Sequence, residues 1–256
     1  MAESIKLSKQ QQRILLLVYK FRFVNTILLS KLLEIRRYSV YEVLEKLVAK
    51  ELVIKVHKNS WRIDRRPAYY HLSKKGVTTV RKLLDVDDRV INTIYNDAVA
   101  TPGFIQECLD ILACYVAIKR QLPEGSVIRT KTEINRYKIF PKQRPELYVK
   151  TPDGREAFIL IVPDKLPYFV NKRRDEFIEH SEEEGWKGDY PTMAFVLKDN
   201  RTKLGFLYKA QKKLEEMGYE ESEITILATD MNQLLHGDNS GWANAFNPTK
   251  FVQLLA

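Results

Sequence analysis

The stretch SVYEVLEKLVAKELV, Ser39 to Val53, decides how the first third of the chain folds. Val40, Val43, Leu44 and Leu47 recur at the i, i+3, i+4, i+7 spacing that gathers four apolar side chains on one face of a helix. Tyr41, Glu42, Glu45 and Lys46 fall on the opposite face, and Arg36, Arg37 and Tyr38 stand just before it. Ser39-Val40-Tyr41-Glu42 reads as a capping box, with the Ser39 hydroxyl accepting from the Glu42 amide and the Glu42 carboxylate accepting from the Ser39 amide. The spacing therefore predicts a helix that starts at Ser39.

Upstream, Leu7, Ile14, Leu15, Val18 and Phe21 predict an amphipathic first helix, and Asn25 is placed to cap a second that carries Leu28, Leu29, Leu32 and Leu33. Downstream, 52–56 and 69–72 read as antiparallel strands. The polar loop between them holds Lys58, Arg62, Arg65 and Arg66 with Asn59 and Trp61, and Pro67 opens the returning strand, where proline is tolerated. Ser73 can cap a further helix over 74–84.

Charge separates this segment from the rest. Residues 1–82 hold 19 Lys and Arg against 6 Asp and Glu, a surplus of +13, while the remainder of the chain is at −4. A surplus confined to one small unit is what a phosphate-binding surface requires. The order helix, helix, helix, strand, basic loop, strand resembles the winged helix-turn-helix superfamily, with SVYEVLEKLVAKELV and RRPAYYHLSKKG similar to its recognition helix and second wing strand. The resemblance implies that Arg36, Arg37, Tyr38, Ser39, Tyr41 and Lys46 address the major groove or its phosphates, and that Lys58, Arg62, Arg65 and Arg66 lie on the backbone through the wing. Members often carry Gly where this chain has Glu51, so the turn after the third helix is expected to close without a left-handed glycine.

With 256 residues, 45% hydrophobic and 29% charged, the chain fits two globular domains, and the absence of a long apolar run or an apolar leader points to the cytoplasm. Cys108 and Cys114, six apart on one predicted helix, face different sides and suit core packing in a reducing compartment; the four histidines are scattered. No metal and no cofactor are expected.

We divide the chain into a DNA-binding domain over 1–84, a linker with an apolar connecting helix over 85–122, and an α/β domain over 123–256. The fold class is α+β. The helix around 104–122 is expected to be buried against the second domain or in a homodimer interface. From Val127 onward, strands at 127–130, 146–151, 156–162, 193–197 and 224–228 alternate with helices within 169–184 and at 203–217, predicting a small mixed sheet. Pro152-Asp153-Gly154 makes the second and third of these strands an antiparallel hairpin, and the later units imply parallel crossovers.

A hairpin followed by helix and strand is also the core of nuclease-like folds, in which Glu146 would be the first metal ligand; the next strand, however, reads Phe158-Ile159-Leu160-Ile161-Val162-Pro163, apolar where the second acid and the lysine belong. The expected domain is a catalytically silent version. Lys172, Arg173 and Arg174 form a basic cluster read as a solvated face or a second DNA contact. RRPAYYHLSKKG together with RPELYV, DGREAFILIV and SGWANAFNP resembles the bacterial replication-relaxation protein family, which implies a role in plasmid or mobile-element replication, mobilisation or transcriptional control. The expected protein is a non-enzymatic binder of double-stranded DNA with no membrane partner. Its rivals are a metal-dependent nuclease or relaxase accessory enzyme using Glu146, and a scaffold that binds a replication or conjugation protein.

Overall fold

A computed structural model describes residues 6–57, 67–84, 88–183, 185–221, 223–237 and 241–255. The chain divides into two compact units, Met1–Val116 and Ala117–Ala256.

The first unit opens with helix α1 (Lys9–Phe21), whose start is fixed by a reciprocal capping box between Ser8 and Gln11. Strand β1 (Val24–Asn25) leads directly into α2 (Thr26–Leu33), and the Asn25 side chain caps it by accepting from the Leu28 amide at 2.8 Å, as its sequence position requires. Glu34 then takes a left-handed conformation (φ 57°) and turns the chain into α3 (Arg37–Ala49). Strands β2 (Val53–Val56) and β3 (Tyr69–Leu72) pair antiparallel with Val53 opposite Leu72 and Val56 opposite Tyr69, and β1 pairs with the far side of β3, so the sheet order is β1-β3-β2. This is the winged-helix arrangement expected from the order of elements.

The capping box expected at Ser39 does not form. Helix α3 begins two residues earlier, its N-cap is Arg36, and no side chain caps it. The left-handed residue at Glu34 leaves Ile35 and Arg36 to complete the turn, and the Val40 amide already donates to the Arg36 carbonyl. Ser39 is therefore inside the first turn, where the cap geometry is unavailable to it.

Val40, Leu44 and Leu47 of α3 are wholly buried in one core with Ile14, Leu15 and Val18 of α1, and Val43 is nearly so. The turn after α3 is closed by Glu51 itself in the left-handed region (φ 60°), with the Leu52 amide donating to Leu47 O at 3.0 Å. Its side chain accepts from Lys75 Nζ at 2.9 Å and its carbonyl from the Ser73 hydroxyl, tying the turn to helix α4 (Lys74–Leu83). Ser73 caps α4 through the Gly76 amide at 3.0 Å. The same core takes in Val90, Ile91 and Ile94 of α5 (Asp88–Ile94) and Leu112 and Val116 of α6 (Pro102–Gln121). The apolar face of α6 as far as Val116 is thus packed within the core of the first unit. Cys108 and Cys114 are both buried on this helix. Arg22, the residue after α1, is held at positive φ and binds buried Asp97 and the Thr93 carbonyl, with its guanidinium 4.6 Å from the Phe104 ring centroid.

The second unit is a seven-stranded mixed sheet in the order β10-β9-β8-β7-β6-β5-β4. Its strands are β4 (Val127–Thr130), β5 (Leu147–Lys150), β6 (Glu156–Ile161), β7 (Thr192–Leu197), β8 (Ile226–Asp230), β9 (Trp242–Asn244) and β10 (Asn247–Val252). A short α7 (Lys131–Ile134) follows β4. β5 and β6 form the antiparallel hairpin expected around Pro152-Asp153-Gly154, while β6, β7 and β8 are parallel, joined by α8 (Pro167–Glu182) and α9 (Asn200–Met217). Helix α10 (Met231–His236) follows β8. Strands β9 and β10 were not legible in the sequence: three residues and a Pro-bearing edge give no alternation to read.

Two glycines make this packing testable. A Cβ on Gly76 would lie 2.0 Å from the Leu52 carbonyl oxygen, so α4 can approach the turn only as glycine. Gly76→Ala is expected to destabilise the first unit by about 1–3 kcal/mol, read as a lowered urea midpoint at unchanged slope. Gly205 is the reverse case, because a Cβ there meets nothing within 4 Å. Gly205→Ala, inside α9, is expected to stabilise by about 1 kcal/mol in the same measurement.

Candidate nucleic-acid interface

Seating α3 on α1 fixes what α3 presents outward. Arg36 and Arg37 are exposed, Tyr38 is 69% exposed, Tyr41 40%, Lys46 is exposed, and Ser39 is half-buried. These six sequence candidates are spread from the start of α3 over its first three turns. Lys58, Arg62, Arg65 and Arg66 lie outside the described residues; the strands that bear their loop are pinned at its base by the Val56–Tyr69 pair.

Two features of this surface escaped the sequence reading. Arg37 donates through Nε to the hydroxyl of Thr26 at 3.1 Å, and Thr26 is the buried first residue of α2, so Arg37 joins the starts of both helices. Glu45, whose charge opposes phosphate, is neutralised by the strands behind it: Lys55 Nζ lies 2.8 Å from its Oε1, and the Tyr70 hydroxyl donates to the same oxygen at 3.2 Å. The Lys55 ammonium also sits 4.9 Å from the Tyr41 ring centroid.

Burial lowers the Lys55 pKa, but the hydrogen bond and charge of Glu45 outweigh it and the net shift is upward; Lys55 stays charged. Burial first, and then Glu45, push the Tyr70 phenol well above its ordinary value, so it remains a donor. Only the alternation of β2, which brings Lys55 to the same sheet as Tyr70, could have signalled this pairing, and it does not name Glu45 as the partner.

In the second unit, Glu146 does not fit a metal-ligand role. It is 3% exposed, its Oε1 lies 2.9 Å from Arg173 Nη2, and its Oε2 accepts from the Ile161 amide at 3.0 Å. Both oxygens are therefore committed, and among the described residues no group of three His, Cys, Asp or Glu could hold a metal ion. The basic cluster is also not a solvated face. Arg174 is buried against Asp175 and Asn171, Arg173 is held by Glu146 and the Arg144 carbonyl, and Lys172 alone of the three is exposed. No described helix is long and apolar enough to cross a membrane.

No family model and no curated protein matches the chain. Among solved structures, it is similar to a double mutant of Lactococcus lactis ZitR, with 20% identity over 47% of this chain and 77% of that one at a TM-score of 0.29. A mutant of E. coli MarR complexed with operator DNA is 15% identical over 46% of this chain and 77% of that one (TM-score 0.28), and the adhesin competence repressor AdcR of Streptococcus pyogenes is 23% identical over 46% and 84% (TM-score 0.28). At these TM-scores the likeness carries no part of the argument, which rests on the chain's own geometry.

The Glu146 assignment has a direct test. Glu146→Gln leaves Arg173 buried without its counter-charge, and equilibrium unfolding is expected to show a loss of roughly 3 kcal/mol. A variant as stable as the parent would show that the pair is not structural.

Proposed function

We propose that the first unit binds double-stranded DNA, with α3 in the major groove and the loop between β2 and β3 along the backbone, and that the protein is a non-enzymatic regulator of transcription. The observation that carries this reading is the outward face of α3. Its apolar stripe is spent on the core, one of its two outward carboxylates, Glu45, is neutralised from behind while Glu42 stays exposed, and Arg36, Tyr38, Tyr41 and Lys46 are left exposed within a segment carrying a surplus of +13.

Contacts divide by role. Arg36 and Lys46, with Lys58, Arg62, Arg65 and Arg66 of the loop, supply charge to phosphates, which sets affinity but carries no sequence information. Tyr38, Ser39 and Tyr41 are the side chains to read base edges, the tyrosines offering a hydroxyl and an apolar ring. The missing side-chain cap leaves the first-turn amides of α3 open to a phosphate oxygen. Arg37, already bonded to Thr26, has a positioning role. A second copy of the chain as partner on DNA predicts half-sites about one helical turn apart. The comparisons give no support to a role in plasmid or mobile-element replication, and the proposal does not extend to it.

Salt titration separates these roles. DNA selected from a random pool should bind with an affinity that falls steeply with salt. Arg65→Ala should reduce the slope of log K against log salt by about one unit without altering sequence preference. Tyr38→Ala should leave the slope and reduce the ratio of selected to random DNA affinity. An absence of binding to any duplex at low salt would overturn the proposal.

A further inference from the structure

The second unit carries a groove at the carboxyl end of β7, between the first turns of α8 and the first half of α9, with a volume of about 440 Å³. That is within the range of small-ligand sites, and the carboxyl ends of parallel strands are where open α/β sheets bind ligands. Its apolar floor is made by Val170, Leu197 and Phe206, all buried.

Its α9 wall has a definite pattern. Arg201, Gly205 and Lys209 stand at i, i+4 and i+8, one above another on the same helix face, and all three line the groove. Both cations are exposed and take part in no hydrogen bond or ion pair among the described residues. The carboxylate nearest Arg201 in sequence, Asp199, is engaged in capping the Thr202 amide. Between the cations, glycine opposes helix formation, yet nothing in the fold lies close enough to require it: a Cβ there points into empty space. The packing gives Gly205 no structural reason, whereas a body lying against α9 between the two charges would use the space. Next to lining residues on both helices stand exposed rings, with Tyr168 70%, Phe169 55% and Tyr208 56% exposed.

We propose that this groove binds a small anionic ligand with one planar ring, its phosphate or carboxylate held by Arg201 and Lys209 and its body lying over Gly205. The chemistry is shared by a nucleoside monophosphate and by an aromatic carboxylic acid. The inference concerns the second unit alone and is tested on the free protein without DNA.

The test uses the full-length ¹⁵N-labelled protein, titrated with 5′-AMP in one arm and 2-naphthoate in the other, with the Gly205 amide as the position-specific reporter. The expected result is a saturable shift of the Gly205 amide in at least one arm, and the arm that responds names the source. The Arg201→Ala/Lys209→Ala double variant should weaken that binding by about tenfold or more. Gly205→Leu should abolish it with the rest of the spectrum intact, and Gly205→Ala, which the helix accommodates, should weaken it. No movement of the Gly205 amide at millimolar concentrations of either probe, or undiminished affinity in the double variant, would overturn the proposal.

Discussion

The seating of α3 on α1 is the constraint on which the first unit depends. Four apolar side chains, Val40, Val43, Leu44 and Leu47, enter the core shared with Ile14, Leu15 and Val18, and each buried side chain of this size contributes on the order of 1.5–3 kcal/mol. A rotation of α3 about its own axis would withdraw that stripe and bury Tyr38 or Lys46 in its place. The outward surface is therefore a by-product of the inward one, and no separate device is needed to present it. Both ends are then fixed locally. Arg37 ties the start to Thr26, while the left-handed Glu51, the Leu52 amide and the close approach of Gly76 to Leu52 fix the end.

What the sequence disclosed and what it withheld follow from the range of the interactions. The elements of the first unit were legible because their determinants are local: the 3.6-residue periodicity of α1 and α3, the Asn25 and Ser73 caps, and the β-branched and aromatic residues of β2 and β3. The Ser39 capping box failed for an instructive reason. Its pattern was correct, but a left-handed Glu34 placed the helix start two residues upstream, and the backbone of a tight turn prevailed over a side-chain preference. The same kind of box does form at Ser8 and Gln11. On the candidate surface, exposure of Arg36, Tyr38, Tyr41 and Lys46 could be read from the helix period. The Arg37–Thr26 bond and the capture of Glu45 by Lys55 and Tyr70 could not, since they join residues 10 to 25 apart through a fold not yet known.

The buried acid and base pairs of the second unit show the same limit more sharply. From sequence, Glu146 is a candidate ligand and Lys172-Arg173-Arg174 a surface patch, because residue type and spacing are all that can be read. In the structure, Glu146 and Arg173 satisfy one another, with the Ile161 amide completing the carboxylate, and Arg174 is buried against Asp175. Lys203 and Asp230 repeat the arrangement at 3.3 Å, both nearly inaccessible. Removing either member of such a pair leaves an uncompensated charge in a poorly solvating interior, so these residues are held in place by each other and not by a ligand.

A charge can serve a partner only if the fold has not already used it, and by this criterion the two units differ. In the first, Arg36, Lys46, Lys74 and Lys82 are exposed, and of the two carboxylates on the outward face of α3, Glu42 and Glu45, the latter has been neutralised from within. In the second, three of the strongest candidates by composition, Glu146, Arg173 and Arg174, are consumed internally, while Arg201 and Lys209, which no motif singled out, make no hydrogen bond or ion pair among the described residues and stand beside open space. Composition directed attention to residues 1–82, where 19 Lys and Arg stand against 6 Asp and Glu, so most of the cations can have no acidic partner within that segment. Where acids and bases nearly balance, as in the rest of the chain, counting cannot separate spent charges from available ones, and only burial and partners decide which side chains are left to meet a ligand.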